Sequence, residues 1–272
     1  MAIRVLPKTN AEQREDIMDL GLKDKKVIIS GGSRGIGLAI AHKFLDEGAS
    51  VGFFARGAEG VGTAIADLSQ KGTVVGDTLD AADFEAVEAW VAKTGAELGG
   101  IDIVINNASA SAQMDWKKES FQSSFDIDFM CAVAMVDAAK PFLEKSDAAA
   151  VLQIATITAV EHHDMPVSPS YGAMKAATIN LNAQLAQRWG AQGIRANTLS
   201  PGPIYFEGGA WHMIKEHMPD LYERDRADHP SGRYGTPEEV ANVAVFLCSP
   251  AASWVTGANV PVDGGFTKQV GF

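Results

Sequence analysis

Tyr171 and Lys175 are the residues whose types and spacing best suit chemistry. They stand i, i+4 in Ser170-Tyr171-Gly172-Ala173-Met174-Lys175, at the head of a run of helical period that reaches Trp189. One helical turn puts both side chains on one face. A phenol titrates near ~10, too high to exchange protons freely at neutral pH, and a fixed ammonium beside it lowers that value. The pair is a candidate general acid/base for a carbonyl or an alcohol. Such a pair also arises by chance on solvated helix faces, so its weight depends on what else the chain carries.

A second constellation lies upstream. An apolar run leads into Ser30-Gly31-Gly32-Ser33-Arg34-Gly35-Ile36-Gly37-Leu38, where a helical period begins. Gly31 permits a tight turn, Gly35 allows backbone to approach a pyrophosphate, and Gly37 lets the helix pack on the strand. The helix N-terminus then offers unpaired N–H groups to phosphate. A glycine triplet at a strand-to-helix junction is far more specific than a triplet in a loop.

The elements that must hold these residues alternate. Short apolar runs read as buried strands: Val27–Ile29, Ser50–Phe54, Thr73–Val75, Ile101–Ile105, Val151–Ile154, Ile194–Asn197 and Asn259–Val262. Helical periods fall between them at Gly37–Glu47, Gly60–Gln70, Asp83–Leu98, Phe121–Leu143 and Tyr171–Trp189. Thr236-Pro237-Glu238-Glu239 carries the marks of a capped helix start. This pattern predicts an α/β fold, one doubly wound parallel sheet covered by helices on both faces. Residues 1–24 read as an N-terminal extension with a short helix over Ala11–Leu20, and residues 25–272 as one catalytic domain.

The 272 residues are 46% hydrophobic, enough for one sizeable core. A formal charge of -11 argues against nucleic acid or an anionic membrane surface as partner. No apolar run is long enough to span a bilayer, and the start is too soon polar for a secretory signal. Cys131 and Cys248 read as reduced buried thiols. A cytoplasmic protein is expected.

The glycine spacing together with Tyr171 and Lys175 resembles the classical short-chain dehydrogenase/reductase family. The markers follow the family's order: Gly31 to Gly37, Asp77, Asn106-Asn107-Ala108-Ser109, Tyr171 with Lys175, Pro201-Gly202-Pro203-Ile204, and Val262-Asp263-Gly264-Gly265. The resemblance runs from about residue 22 to 268 and implies a Rossmann-like fold and hydride transfer between nicotinamide and a carbonyl or secondary alcohol. It implies that Gly31, Ser33, Arg34, Gly35, Ile36 and Gly37 hold the phosphates and that Asp77 and Thr78 hold adenine. Asn107, Ala108 and Ser109 would line the nucleotide cleft, Ser109 standing where the family has glycine. Pro201, Gly202, Pro203 and Ile204 would flank the nicotinamide amide. Tyr171 would be the acid/base, with Lys175 on the nicotinamide ribose. A homotetramer, or failing that a homodimer, is also implied.

The second strand ends Phe54-Ala55-Arg56 with no acid at its tip, and Arg34 lies in the glycine loop. Two guanidinium groups and no carboxylate predict NADP(H) over NAD(H), because a guanidinium fork binds a 2′-phosphate. For the family's serine, the strand-end motif selects Thr156, whereas counting back from Tyr171 selects Thr158. A loop Val160–Met165 longer by two favours Thr156. Where the family has a relay asparagine this chain has Asp128, and an ionised carboxylate near Lys175 would partly cancel the ammonium's field at Tyr171.

Residues 205–229 read as a substrate lid crowded by Tyr205, Phe206, Trp211, His212, Met213, Ile214, Met218 and Tyr222. Met114, Trp116 and His162-His163 are candidates for the facing wall, and the two histidines make no metal site. An apolar carbonyl or alcohol substrate, cyclic or acyl, is expected. The alternatives are a dinucleotide-binding sensor without chemistry, or reduction of a C=C or imine on the same scaffold.

Overall fold

The computed structural model describes residues 18–110, 115–162 and 169–268. Seven parallel strands form one sheet in the order β3-β2-β1-β4-β5-β6-β7. The strands are β1 (Lys26–Ser30), β2 (Ser50–Ala55), β3 (Val74–Thr78), β4 (Ile103–Asn106), β5 (Ala150–Ile154), β6 (Arg195–Pro201) and β7 (Asn259–Val262). β1, β4 and β5 are buried along nearly their whole length, as strands covered on both faces must be. One face carries α1 (Gly35–Asp46), α2 (Ala58–Leu68) and α9 (Pro237–Cys248), which pack Ile40, Phe44, Leu68 and Val240 on the sheet. The other carries α3 (Phe84–Leu98), α4 (Lys118–Ser124), α5 (Cys131–Leu143) and α6 (Pro169–Trp189), with Val91, Met135 and Leu143 buried there.

The chain leaves β1 toward β2 and β3 on one side and resumes at β4 on the other. The C-terminal ends of β1 and β4 therefore bound a crevice at the point where strand order reverses, the place where such sheets take ligands. β3 continues past the expected Val75 to Thr78, so Asp77 and Thr78 stand at that same sheet edge. Thr236 caps α9 as its residues predict: its hydroxyl accepts from Glu239 N while the Glu239 carboxylate accepts from Thr236 N at 2.9 Å.

One expectation needs correction. Phe121–Leu143 is not one α-helix. A π-helical stretch, Phe125–Met130, separates α4 from α5 and widens the turn that carries Asp128. The helix expected over Ala11–Leu20 lies mostly outside the described residues, and Met18–Leu20 is not helical. Residues 205–229 fold as two short helices, α7 (Ala210–His217) and α8 (Pro219–Asp228).

Candidate active site

The glycine loop is clamped from the neighbouring strand. Asn107, just beyond β4, donates its side-chain amide to Ser30 O (3.1 Å) and Gly31 O (2.9 Å). The Ser30 hydroxyl accepts from the backbone of Asn107 and Ala108, both at 3.0 Å. This crossing explains Gly37: a Cβ there would lie 2.2 Å from Gly31 O and 2.5 Å from the Asn107 amide. Gly35 opens α1 with a φ of 54, which side-chain-bearing residues rarely adopt. Its open face meets the Phe206 ring, whose Cζ would lie 2.5 Å from a Cβ at Gly35.

Lys175, on α6, is buried. Its ammonium donates to Ile154 O at 2.9 Å and lies 3.2 Å from the buried Asp128 carboxylate. Asp128 also accepts from Ala110 N at 3.4 Å, so one carboxylate ties the end of β4 to α6. The ammonium sits 5.9 Å from the Tyr171 ring centre. At the end of β5, Thr156 places its hydroxyl within hydrogen-bond reach of the Tyr171 phenol. The same hydroxyl accepts from Thr158 N and reaches the Thr158 hydroxyl, both at 3.2 Å. Of the two threonines considered, Thr156 is the one whose hydroxyl lies within reach of the phenol, while both line the cavity described below.

These groups open onto a cavity of about 570 Å³. Ile36, Asn107 and Ser109 line it from the β1 and β4 ends, and Thr156, Thr158, Tyr171 and Lys175 form its polar side. Pro201, Gly202, Pro203 and Ile204 border it beyond β6. Phe206, Trp211, Met213 and Ile214 line it from the α7 segment.

The chain matches a family model described as Enoyl-(Acyl carrier protein) reductase over residues 31–267. The chain belongs to the short-chain dehydrogenase/reductase family. It is 40% identical to isoepoxydon dehydrogenase patN of Penicillium expansum, over 92% of this chain and 97% of that protein. It is 31% identical to D-threitol dehydrogenase of Mycolicibacterium smegmatis, over 95% and 99%. L-sorbose reductase from Gluconobacter frateurii, solved with NADPH and L-sorbose, superposes with a TM-score of 0.84 at 33% identity, over 93% of this chain and all of that one. This is a family of oxidoreductases acting on alcohol and carbonyl groups with a nicotinamide dinucleotide.

In this short-chain dehydrogenase/reductase the electrostatics depart from expectation at Tyr171. The phenol is held above its ordinary value, first by burial and then by the Asp128 carboxylate, while the Thr156 hydrogen bond pulls weakly the other way. Asp128 faces the Lys175 ammonium at 3.2 Å, and its charge opposes the phenolate that the ammonium would favour. Cys131, on the adjoining helix, is pushed up to about 12 by burial, and Cys248 likewise, so neither offers a thiolate.

Arg34 and Arg56 are exposed at the C-terminal ends of adjacent strands, and Arg34 donates to Gly208 O at 3.2 Å. Asp77 is less free than the family pattern implies. Its carboxylate accepts from the Trp90 indole and from the Lys93 ammonium, all at 3.1 Å. Of the residues expected on the facing wall, the two described ones do not line the cavity: Trp116 is 78% exposed and packs edge-on against Phe121, and His162 is exposed. Met114 and His163 lie outside the described residues. Sequence reasoning passed over Ser30, which anchors the crevice, and Asp225 and Phe266, which line the cavity. A serine closing a strand and an acid within a polar helix carry no pattern that singles them out.

Proposed function

We propose that this chain is an NADP(H)-dependent ketoreductase or alcohol dehydrogenase acting on a small carbonyl or secondary-alcohol substrate seated in the cavity. The observation that carries the reading is the convergence of Thr156, Tyr171 and the Asp128–Lys175 pair on a cavity bordered by the clamped glycine loop. The relatives named as dehydrogenases and reductases support it.

The residues fit a nicotinamide dinucleotide. Gly37 has no room for a side chain beneath the loop, and the α1 N-terminus faces the crevice, as phosphate binding requires. In this reading Gly31, Ser33, Gly35, Ile36 and Gly37 hold the phosphates, Asp77 and Thr78 the adenine, and Asn107, Ala108 and Ser109 the cleft wall. Arg34 and Arg56 pair with a 2′-phosphate, which favours NADP(H), and the NADPH-bound L-sorbose reductase lends support. Lys175 holds the nicotinamide ribose, and Pro201, Gly202, Pro203 and Ile204 flank the amide. The dinucleotide, when bound, supplies or accepts the hydride.

The chain's own residues handle the proton and the substrate. Thr156 orients the carbonyl oxygen by hydrogen bond. Tyr171 keeps its proton at neutral pH, since burial and Asp128 raise its pKa, and donates it from Oη to that oxygen. Phe206, Trp211, Met213 and Ile214 exclude water. Oxidation of NADPH in the presence of a ketone panel tests the reading, with alcohol as the expected product. Nucleotide binding with no turnover on any ketone would favour a sensor, and a saturated product from an enone would favour C=C reduction.

A further inference from the structure

The Thr156 hydroxyl has a second partner that the proposed chemistry does not use. Thr156 Oγ1 donates to Thr158 Oγ1 at 3.2 Å and accepts from Thr158 N at 3.2 Å. A hydroxyl has one proton and two lone pairs. Thr156 therefore keeps one lone pair, and the phenol of Tyr171 is within reach of it. The Tyr171 O–H is the donor that fills it, since Thr156 has already given its own proton to Thr158. The three hydroxyls run in one sense, from Tyr171 to Thr156 to Thr158.

Exposure rises along this line. Thr156 is buried, Thr158 is half-buried, and Val160 is exposed. Thr158 lines the cavity, and its own O–H is spent on no described residue. Packing fixes its place. Gly172, beside Tyr171, has no room for a Cβ, which would lie 2.8 Å from Thr158 O. The short turn Ile157–Ala159, capped by the Thr156 hydroxyl, keeps the two threonines together. The other side of the phenol offers no such way out. Lys175 is pinned between Ile154 O at 2.9 Å and the Asp128 carboxylate at 3.2 Å, and both charged side chains are sealed from solvent. Moving a proton out through that pair would leave a buried ion without its partner.

We propose that Thr158 is a relay hydroxyl that, through Thr156, carries one proton per turnover between Tyr171 and solvent. This deepens the oxidoreductase reading above and rests on it. In ketone reduction Tyr171 gives its proton to the carbonyl oxygen and is left as phenolate. Once that oxygen is a hydroxyl it no longer needs the Thr156 proton, which passes to the phenolate. Thr158 passes its own proton to Thr156 and takes one from water or a buffer acid. Each hydroxyl gives one proton and receives one, and a single solvent proton enters. In alcohol oxidation every transfer runs the other way and one proton leaves. The observed sense of the bonds is the one that release requires. When the protons move together, neither threonine carries a buried charge.

The test is steady-state and single-turnover reduction by NADPH of cyclohexanone, acetophenone or ethyl acetoacetate, whichever wild type turns over fastest. Reprotonation follows hydride transfer, so it enters kcat and not kcat/KM. Thr158→Val keeps the shape and loses the hydroxyl. It should lower kcat by roughly tenfold, the worth of one hydrogen bond, while kcat/KM and the first-turnover rate stay within about twofold of wild type. Imidazole added at fixed pH and ionic strength should restore kcat in Thr158→Val by delivering protons directly, and should leave wild type unmoved. Thr158→Ser should behave as wild type. A merely structural role would lower the first turnover and kcat together and would not respond to imidazole. That outcome, or a wild-type kcat in Thr158→Val, overturns the relay and leaves the oxidoreductase reading standing. Thr158→Ala repeats the comparison if the valine variant does not fold. No turnover of any ketone by wild type overturns both.

Discussion

Asp128 and Lys175 form a buried ion pair, 3.2 Å apart, immediately behind the Tyr171 phenol. The pair explains why burial can raise the phenol despite an adjacent ammonium. Asp128→Asn removes the charge that opposes the phenolate and releases the field of Lys175. The Tyr171 pKa should fall, and the limb of the pH–rate profile for alcohol oxidation, which needs the phenolate, should move to lower pH. The same change leaves a buried cation without its counter-charge and should cost stability, about 3 kcal/mol by denaturant titration. An unmoved pH profile would detach Asp128 from the proton chemistry.

Tyr171→Phe keeps the ring and removes the proton. Turnover should fall by roughly a hundred- to ten-thousand-fold while nucleotide affinity stays, read by steady-state kinetics and calorimetry. Thr156→Val should lower kcat/KM for ketones more than Thr158→Val, because Thr156 is the hydroxyl within reach of the phenol. Equal losses in the two valine variants would deny Thr156 that distinction.

Arg34 and Arg56 stand at the tips of neighbouring elements with no carboxylate between them on the strand end. Arg56→Asp should reverse the preference between NADPH and NADH, and Arg34→Ala should weaken it by roughly tenfold, the worth of one charge-assisted contact. Initial rates at matched concentrations of the two nucleotides give the answer. A preference unchanged in both variants would remove the arginines from the specificity argument.

The Phe206 ring lies against Gly35, on the loop face that phosphates would approach. Phe206→Ala should therefore strengthen NADPH binding several-fold, since the loop no longer has to shed the ring. Gly37→Ala should do the opposite and abolish measurable binding: the added methyl meets the Gly31 backbone, which cannot yield, and displaces the Asn107 amide that clamps it. Fluorescence titration of NADPH separates the two, and weaker binding in Phe206→Ala would make the ring a nucleotide contact.

Arg233 and the capping box hold the Glu239 carboxyl down at about 2. A depressed folded pKa adds stability that is complete above the unfolded carboxyl's value, near ~4.3, and is lost as pH falls from there toward 2. Glu239→Gln should lower Tm at neutral pH, and the gap to wild type should close on acidification through that window. Thr236→Val should cost about 1 kcal/mol as a lost cap. A gap that stays constant with pH would mean that the carboxylate's charge is not what stabilises the turn.

Much of this was legible in the chain. Val27–Ile29 and Ile103–Ile105 announce buried strands because alternation with helical periods is written in local hydrophobic spacing. Tyr171 and Lys175 share a face because they share a helix, and Thr236 with Glu239 caps one because the motif is complete within a single turn. The glycine loop is legible for the same reason: its geometry is set by residues adjacent in sequence. The tertiary structure alone decided that Asp128 meets Lys175 through a π-helical turn, that Asn107 grips Gly31, that Phe206 leans on Gly35, and that Asp225 enters the cavity wall. Each of those contacts joins segments far apart in the chain, and nothing in local periodicity encodes which distant side chain fills a given space. Such meetings are fixed only when the sheet and its covering helices pack together and burial selects the partners that leave no charge or void unanswered.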